Sequence, residues 1–319
     1  MTRLRKITVV LTLFIIAICF AGCQNSSATF SGNKNGNDTQ PSLEPTEPAV
    51  TVQPTEPVEQ VEPSITTEPS EPTEPAELPG SVSTPTVAIM PTPPFSYYIS
   101  DSTTGKESPP IRLEMVSSEP NEIIDIDNWF TENDLSSHLN QNYAKDGSKE
   151  YLFDGVGINE GNILNIYDAV QNELLYSIDF SNYKYSPQYK EEDYDFIEQD
   201  IKCATIKDDI LYVNHSHSTY AKSSKNMNAY ITAINLSDMS VIWRSDALVC
   251  NSKDFLIVDD VIISGYGFTD EPDYLYQIDR KTGKTIDRLS LKSAPEYIIM
   301  KDSILYVRTY NTDYQFVIE

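Results

Sequence analysis

The chain has 319 residues, of which 23 are Lys or Arg and 48 are Asp or Glu, so its formal net charge is −25. Such an acidic surface repels the phosphates of nucleic acids, and this excludes a nucleic-acid partner. The four cysteines and three histidines show no CxxC or Cys/His zinc spacing. The Gly-x-Ser-x-Gly, Gly-rich phosphate-loop and His-Glu-x-x-His motifs of common enzyme classes are missing as well.

The N-terminus carries the three parts of an export signal. Three basic residues within the first six positions precede an apolar run from residue 7 to residue 20, which is shorter than the about 20 residues of a membrane-spanning helix. The segment Phe20-Ala21-Gly22-Cys23 then resembles the bacterial lipobox. The resemblance implies that residues 1–22 are removed, that Cys23 is lipidated, and that the lipid anchors the chain at the extracytoplasmic face of the cell membrane. Without the three basic residues, the mature chain has a net charge near −28.

Residues 41–94 have the composition of a linker. They contain 14 of the 20 prolines and nine glutamates, and they lack Lys, Arg, Tyr, Trp and Phe. A segment of this kind cannot bury enough apolar surface to offset its chain entropy. We therefore predict a disordered, lipid-anchored tether over residues 23–94, whose linker extends as polyproline II at roughly 3.1 Å per residue and so reaches about 150 Å. A PxxP-type docking tract is the alternative interpretation of these prolines.

All 20 tyrosines and both tryptophans follow residue 96, which predicts a folded domain over residues 95–319. Its length is enough for one sizeable core. Short apolar segments flanked by Asp and Lys-Asp turns indicate strands. One short helix is predicted to begin near Thr131, with Leu135 and Leu139 on one face.

Two half-motifs alternate along this domain. The first is an apolar strand, an acidic turn and a second apolar strand, and it occupies residues 204–213, 255–263 and 297–307. The second is also a strand, a turn and a strand, and it occupies residues 166–176, 233–243 and 277–287. Together they predict four antiparallel strands every 40 to 50 residues, and thus an all-β, propeller-like array of about four blades.

The final repeat lacks an outer strand, because the chain ends after the third. Residues 101–106 resemble an outer-strand turn without its inner hairpin, and residues 111–116 alternate between apolar and polar side chains as an edge strand does. We therefore expect residues near 97–117 to complete the C-terminal sheet, which would also protect its open edge.

The second half-motif, with its Ala-Ile-Asn/Asp-x-x-Thr-Gly-Lys-x-Ile-Trp character, resembles the repeat of PQQ-like (quinoprotein-type) β-propellers. The resemblance implies that Asp279, Thr282 and Gly283 shape a turn and that Trp243 packs between blades. Quinone-dependent dehydrogenases of this superfamily use eight blades, calcium and a set of cofactor-clamping side chains. Other members bind no cofactor and serve as lipoprotein scaffolds. With room for four or five blades and no evident clamp, this chain is expected to be of the cofactor-free kind, without a catalytic site.

A tyrosine-rich segment is the candidate partner-binding loop. Tyr183, Tyr185, Tyr189 and Tyr194 lie beside an acidic run at residues 191–195, and exposed tyrosines among acids suit sugars or basic protein surfaces. A loop folded over the propeller edge is the alternative. The acidic run has enough oxygens for calcium but lacks the order of a known calcium loop, so a charged surface loop is favoured.

Histidines and cysteines offer two further candidates. His215 and His217 would share one face of a strand, and because a third ligand is lacking we expect a solvated strand end rather than a metal site. Once residues 1–22 are removed and Cys23 is lipidated, Cys203 and Cys250 are the cysteines that remain. They could form a disulfide in an oxidising compartment, or they could be two separate buried thiols.

The sequence thus favours a binding or scaffolding lipoprotein at the cell surface, with a protein or a cell-wall glycan as its partner. The alternative is an extracytoplasmic sensor or a carbohydrate-active enzyme that uses the propeller face. An enzyme should have inward carboxylates with raised pKa values in a central pocket, whereas a scaffold should have a shallow aromatic surface.

Overall fold

A computed structural model describes residues 84–93, 98–99 (backbone only), 106–121, 125–138, 142–157, 160–185, 190, 192 and 197–319. The predicted lipidation site Cys23, most of the predicted tether and the turn at residues 101–105 lie outside the described residues. Among the residues that are described, no helix has the length and apolarity that a membrane span requires.

Three strands precede the repeats. They are β1 (Thr86–Ile89), β2 (Tyr98–Ile99) and β3 (Leu113–Pro120). Four groups of strands follow in chain order, and we call their sheets blades 1 to 4. Blade 1 holds β4 (Tyr143–Asp146), β5 (Lys149–Asp154), β6 (Ile163–Asp168) and β7 (Glu173–Asp179). Blade 2 holds β8 (Asp200–Lys207), β9 (Ile210–Ser216), β10 (Tyr230–Asn235) and β11 (Ser240–Arg244).

Blade 3 holds β12 (Leu256–Val258), β13 (Val261–Tyr266), β14 (Tyr274–Asp279) and β15 (Thr285–Ser290). Blade 4 holds β16 (Pro295–Lys301), β17 (Ile304–Thr309) and β18 (Thr312–Ile318). Neighbouring strands within each group are antiparallel. The predicted all-β, propeller-like array of about four blades is confirmed.

The acidic turns of the first half-motif close tight hairpins. Asp208 and Asp209 join β8 to β9 with φ values of 53° and 57°, and Asp302 and Ser303 join β16 to β17 with φ values of 50° and 65°. Two successive residues at positive φ form the turn whose twist matches that of the flanking strands, and Asp tolerates this conformation better than most residues.

The second half-motif forms the turn and the inter-blade contact that the repeat predicts. The Asp279 carboxylate accepts hydrogen bonds from the Thr282 backbone N–H and hydroxyl, both at 2.7 Å. Gly283 follows at φ 73°, and a Cβ there would lie 2.5 Å from the Trp243 ring of blade 2. The Trp243 Nε1–H donates to the Arg280 carbonyl of blade 3 at 3.0 Å. Glycine is therefore needed both for its conformation and for the close approach of the ring.

The segment before the repeats runs along the outer strands of the blades. β1 pairs in parallel with β7 of blade 1, and β2 pairs with β11 of blade 2. Further along, the backbone of Ile111 exchanges two hydrogen bonds with the Gln277 side chain of blade 3, at 2.7 and 2.8 Å. β3 then pairs with β18 over seven residue pairs and supplies the outer strand of blade 4. The predicted completion of the C-terminal sheet is confirmed, with the strand shifted to residues 113–120.

Two predicted boundaries are wrong. The folded domain begins before residue 95, because β1 is a paired strand and the adjacent Met90 is 1% exposed in the core; the proline-rich composition hid this short strand. The helix, α1 (Ile126–Glu132), begins five residues before Thr131. The side chain of Asp125 accepts from the Asn128 N–H at 3.2 Å, and this N-cap fixes the start of the helix.

Short 3-10 helices occupy Ser136–His138, Ser181–Tyr183 and Ala221–Ser224. The helix α1 and the 3-10 helix after it cover blade 4, where Trp129, Phe130 and Leu135 pack with Ile299 in a small cluster. The main core is continuous from blade 1 through blade 2 to blade 3, and a second cluster joins blades 3 and 4. The faces between blades 1 and 2 and between blades 2 and 3 therefore hold most of the buried side chains.

Candidate functional site

A groove opens between blade 2 and blade 3. Tyr266 of β13 pairs with Tyr274 of β14. Two residues further along β14, Tyr276 pairs with Arg288 of β15. Since paired residues share a side of a sheet and alternate residues return to it, these four side chains occupy one face of blade 3. The facing wall is formed by Ala221, Lys222, Asn226 and Leu248, from connections within and after blade 2. We call this hollow the tyrosine groove.

Glu271 braces the tyrosine groove from the connection between β13 and β14. Its Oε2 accepts from the Tyr266 hydroxyl at 2.5 Å, and its Oε1 accepts from the Ala221 N–H of blade 2 at 2.7 Å. Burial, followed by the hydrogen bond to Glu271, raises the pKa of Tyr266. Tyr266 therefore stays protonated at neutral pH, and the brace joins the two blades across the groove.

The second carboxyl that lines the tyrosine groove belongs to Asp270, which is exposed. Asp273, at the start of β14, does not line the groove, and its Oδ1 lies against Gly267. Burial, reinforced by the charge of Glu271, raises the pKa of Asp273 to about 6.

In the groove itself, the guanidinium of Arg288 lies 4.6 Å from the centre of the Tyr274 ring. Tyr274 packs edge-on against Tyr276, with ring centres 5.7 Å apart. The groove thus combines aromatic surface with a carboxyl, hydroxyls and a planar cation.

The tyrosine groove has a volume of about 410 Å³. A second hollow of about 410 Å³ shares Tyr276 and Arg288 with it and continues past Asp246 and Asp287. Small-molecule sites have volumes of about 300–1,000 Å³ and hold a few polar groups among apolar and aromatic ones. The two hollows therefore have the size and the mixture of groups that are typical of a small-molecule site.

The central cavity lies elsewhere, between the innermost strands β4, β8, β12 and β16, and measures about 450 Å³. Asp254 is the one acidic side chain among the described residues that line it. Burial raises the pKa of Asp254 to about 7, against the opposing effects of the Ile298 N–H and of Lys253. The Asp254 Oδ1 accepts from that N–H at 2.8 Å.

Cys203 and Cys250 are buried and both are free thiols in this structure. They are hydrogen-bonding neighbours: burial raises the pKa of the Cys203 thiol, and contact with Cys250 raises it further. The Cys203 thiol is therefore protonated and unreactive at neutral pH. Oxidation of the two thiols to a disulfide stays a prediction.

The predicted partner-binding loop is wrong in one of its residues. Tyr183 is 0% exposed and packs edge-on against Phe180 at 5.3 Å, so it cannot meet a partner at the surface. Tyr185 is half-buried, with Lys184 5.4 Å from the centre of its ring. Tyr189, Tyr194 and all but Glu192 of the acidic run lie outside the described residues.

The expectation that His215 and His217 form a solvated strand end is also wrong. They are 0% and 2% exposed. The His217 Nε2 lies 2.8 Å from the Ser224 hydroxyl, and His215 packs against Phe180 and Tyr183 with ring centres 4.9 Å apart in each case. Within the described residues, no group of three or more His, Cys, Asp and Glu side chains is placed to hold a metal ion.

Residues of the tyrosine groove escaped the sequence analysis. The signal that could have identified them is the segment Asp270-Glu271-Pro272-Asp273-Tyr274-Leu275-Tyr276, in which acids lead directly into alternating tyrosines. The sequence instead predicts a combination of acids and exposed tyrosines in the segment around Tyr185, where tyrosines are more numerous. The number of tyrosines in a segment does not show whether their side chains are exposed, because exposure depends on which part of the neighbouring blade packs against them.

No protein-family model matches this chain, and no curated protein matches it either. Among solved structures, similarity is found to the computationally designed Ika4 protein (12% identity, 56% of this chain and 89% of that one, TM-score 0.34). BamB from Moraxella catarrhalis aligns at 13% identity over 55% of this chain and 58% of its own, with a TM-score of 0.31.

The quinohemoprotein alcohol dehydrogenase ADHIIG from Pseudomonas putida aligns at 12% identity over 51% of this chain and 28% of its own, with a TM-score of 0.32. The chain therefore spans just over half the length of BamB and under a third of the dehydrogenase. At these TM-scores the matches carry no argument about function, and the fold rests on the strand pairing.

Proposed function

We propose that this chain is a cell-surface, lipid-anchored binding lipoprotein whose propeller is non-catalytic, PQQ-like and cofactor-free, and that the tyrosine groove takes a cell-wall glycan. The groove is the observation that carries the proposal. Tyr274 presents ring surface, Arg288 presents donors in a fixed plane, and the exposed Asp270 presents acceptors. Sugar rings offer apolar faces and many hydroxyls, and this combination of groups meets both.

The state of the two groove carboxyls supports binding over hydrolysis. Glycoside hydrolysis commonly uses two carboxyl groups about 5–10 Å apart, each free to exchange protons or to attack. Glu271 has both oxygens engaged, by Tyr266 and by the Ala221 N–H. Among the residues that line the groove, the exposed Asp270 is left as the one carboxyl available to a ligand.

The acidic surface and the N-terminal segment support display outside the cell. As polyproline II at roughly 3.1 Å per residue, a linker over residues 41–85 lets an anchored domain search up to about 140 Å for a partner fixed in the wall. The chain enters the domain along the outer edge of blade 1, whereas the tyrosine groove lies between blades 2 and 3. Attachment and recognition would therefore use different parts of the domain.

The test is binding of soluble peptidoglycan fragments to the full mature lipoprotein in detergent, measured by calorimetry. Tyr274→Ala and Arg288→Ala should each weaken binding at least tenfold, because each removes a principal contact surface of the tyrosine groove. Matched controls are Tyr310→Ala and Arg112→Ala, since Tyr310 is 57% exposed, the Arg112 side chain is 74% exposed, and neither lines the groove.

Equal binding by the groove variants and the controls would overturn the assignment of the groove, and so would a lack of binding by the unmodified protein. Release of new reducing ends from the fragments, lost in Asp270→Asn, would replace the non-catalytic proposal by a hydrolytic one.

The lipid anchor has a separate test. Cys23→Ala should move the protein from the membrane fraction to the soluble fraction, because the acylated thiol is removed. Membrane retention of a Cys23→Ala chain that has lost residues 1–22 would contradict the anchor, and it would leave the tyrosine groove unaffected.

A further inference from the structure

A buried cluster of polar side chains lies between blade 1 and blade 2. His215 of β9 pairs with Tyr230 of β10, and Thr232 of β10 pairs with Arg244 of β11. Because Tyr230 and Thr232 are two residues apart on one strand, all four side chains share one face of blade 2. The connection after β7 brings Tyr183 against this face. We call this set the arginine cluster.

Arg244 is at the centre of the arginine cluster and is 2% exposed. Its guanidinium carbon lies 3.9 Å from the centre of the Tyr230 ring and 5.1 Å from that of Tyr183. Its Nε and Nη1 are sealed from solvent and have no hydrogen-bond partner. Burial lowers the pKa of Arg244 to about 10, so the side chain keeps its charge at neutral pH.

The contrast with Arg308 shows that the state of Arg244 is unusual in this chain. Arg308 is 5% exposed, and its Nη1 contacts both oxygens of Asp313 at 3.1 and 3.2 Å. Among the described residues, no carboxylate forms an ion pair with Arg244. A buried charge without a counter-ion destabilises the fold unless another group stabilises it.

The groups around Arg244 lack partners too. Both ring nitrogens of His215, the Tyr183 hydroxyl and the Thr232 hydroxyl are sealed and make no hydrogen bond. Burial, together with the charge of Arg244, lowers the pKa of His215 well below its ordinary value, so its ring is neutral and offers one N–H. These groups can all donate, and they lie around one cation.

We propose that the arginine cluster binds a small carboxylate between blades 1 and 2. A carboxylate accepts two parallel hydrogen bonds from one guanidinium fork, and its remaining lone pairs can accept from a neutral His or a hydroxyl. Its single negative charge balances the single positive charge of Arg244. A phosphate, with a charge nearer −2, would leave a net negative charge in the same closed site. This site is separate from the tyrosine groove and does not depend on its ligand.

The test uses the full mature lipoprotein and acetate as the probe, at constant ionic strength set with chloride. Acetate should raise the melting temperature in a saturable way, because a ligand that binds only the folded state stabilises it. It should also shift the imidazole ¹⁵N resonances of His215. Phosphate at the same ionic strength should produce neither change.

Variants of two buried arginines separate a ligand site from a packing element. Arg244→Met should fold with an unchanged or higher melting temperature, since it removes an uncompensated charge, and its response to acetate should fall at least tenfold. Arg308→Met should lower the melting temperature, because Asp313 loses its partner, and it should keep the full acetate response. Arg244→Lys, which keeps the charge but loses the fork, should weaken the acetate response.

Two results would overturn the proposal. One is a melting temperature and a His215 spectrum that do not respond to acetate, which would leave buried water as the occupant of the arginine cluster. The other is an acetate response that survives in both Arg244→Met and Arg244→Lys, which would place the carboxylate elsewhere.

Discussion

The two faces of blade 2 are built from the same repeat, yet they hold their polar groups in opposite ways. Toward blade 3, the Trp243 Nε1–H is satisfied by the Arg280 carbonyl, and Glu271 is satisfied at both oxygens. Toward blade 1, Arg244 and His215 are sealed without partners. Adjacent residues of one strand thus enter contrasting environments. The repeat determines the backbone of both faces. The residues on the facing blade decide whether the buried polar groups have partners, as toward blade 3, or lack them, as toward blade 1.

The largest expected effect concerns the contact of blades 2 and 3. Gly283→Ala should lower the free energy of unfolding by about 2–4 kcal/mol, since the new Cβ would lie 2.5 Å from the buried Trp243 ring. Gly147→Ala is the matched control, because Gly147 has φ 61° and nothing within 4 Å of a Cβ, and it should lose only about 1 kcal/mol of backbone preference. Denaturant unfolding measures both. Equal losses of unfolding free energy in the two variants would show that the contact between Gly283 and the Trp243 ring does not contribute to stability.

The second effect concerns Asp254, the carboxyl of the central cavity, which lies in the β11–β12 connection. The folded-state pKa of Asp254 is about 7, above its ordinary 3.8, so the folded state binds the extra proton. Its contribution to stability is therefore present below about pH 4 and is lost as the pH rises toward 7, by up to about 4 kcal/mol. Asp254→Asn should be more stable than the unmodified protein at pH 8, and the difference should shrink toward pH 4.

A pH series of melting temperatures measures this difference, with Asp287→Asn, an exposed position in blade 3, as the control. The variant keeps the groups that act on Asp254 or are acted on by it, which are Ile298, Lys253 and Cys203. A difference that does not vary with pH would contradict the raised pKa.

The third effect has the opposite sign and belongs to the interface of blades 1 and 2. The pKa of His215 is lowered in the folded state, so the stability associated with its neutral ring is present above about pH 6.5 and is lost as the pH falls. His215→Phe keeps the ring contacts with Phe180 and Tyr183 and cannot be protonated. Without added acetate, its melting temperature should fall less than that of the unmodified protein between pH 7 and pH 5. Parallel profiles would rule out His215 as the acid-sensitive group.

The smallest effect compares two ion pairs that cross these interfaces. Arg280 contacts Asp208 of blade 2 at 2.7 Å and Asp260 of blade 3 at 3.3 Å, and its side chain is 14% exposed. Lys149 of blade 1 contacts Asp209 of blade 2 at 2.7 Å, and both side chains are well exposed. Arg280→Ala should cost about 1 kcal/mol and Lys149→Ala less than about 0.5 kcal/mol. Denaturant unfolding at two salt concentrations would measure the ranking, and a reversed ranking would contradict it.

Local chemistry made much of the fold predictable. Three features depend on residues that are close together in the sequence: the paired Asp residues at a hairpin turn, the turn from Asp279 to Gly283, and the alternation of residues 111–116. Each therefore leaves a pattern that sequence alone reveals. The missing fourth strand of the last blade was predictable as well, because an incomplete sheet and an unassigned edge strand complement each other. The tether boundary was missed because β1 is four residues long and gains its stability from β7, about 90 residues away.

The sequence by itself determined the repeat, the hairpins, the turn residues and the closure of the C-terminal sheet. Only the tertiary structure decided which side chains are buried and which line a groove. Tyr183 meets Arg244 and Glu271 meets Ala221 through contacts 50 or more residues apart. Both faces of a middle blade are buried, so alternation along a strand no longer separates inside from outside. For this reason the buried histidines and the arginine cluster had no readable pattern in the chain, and the segment 270–276 of the tyrosine groove showed its composition but not its exposure.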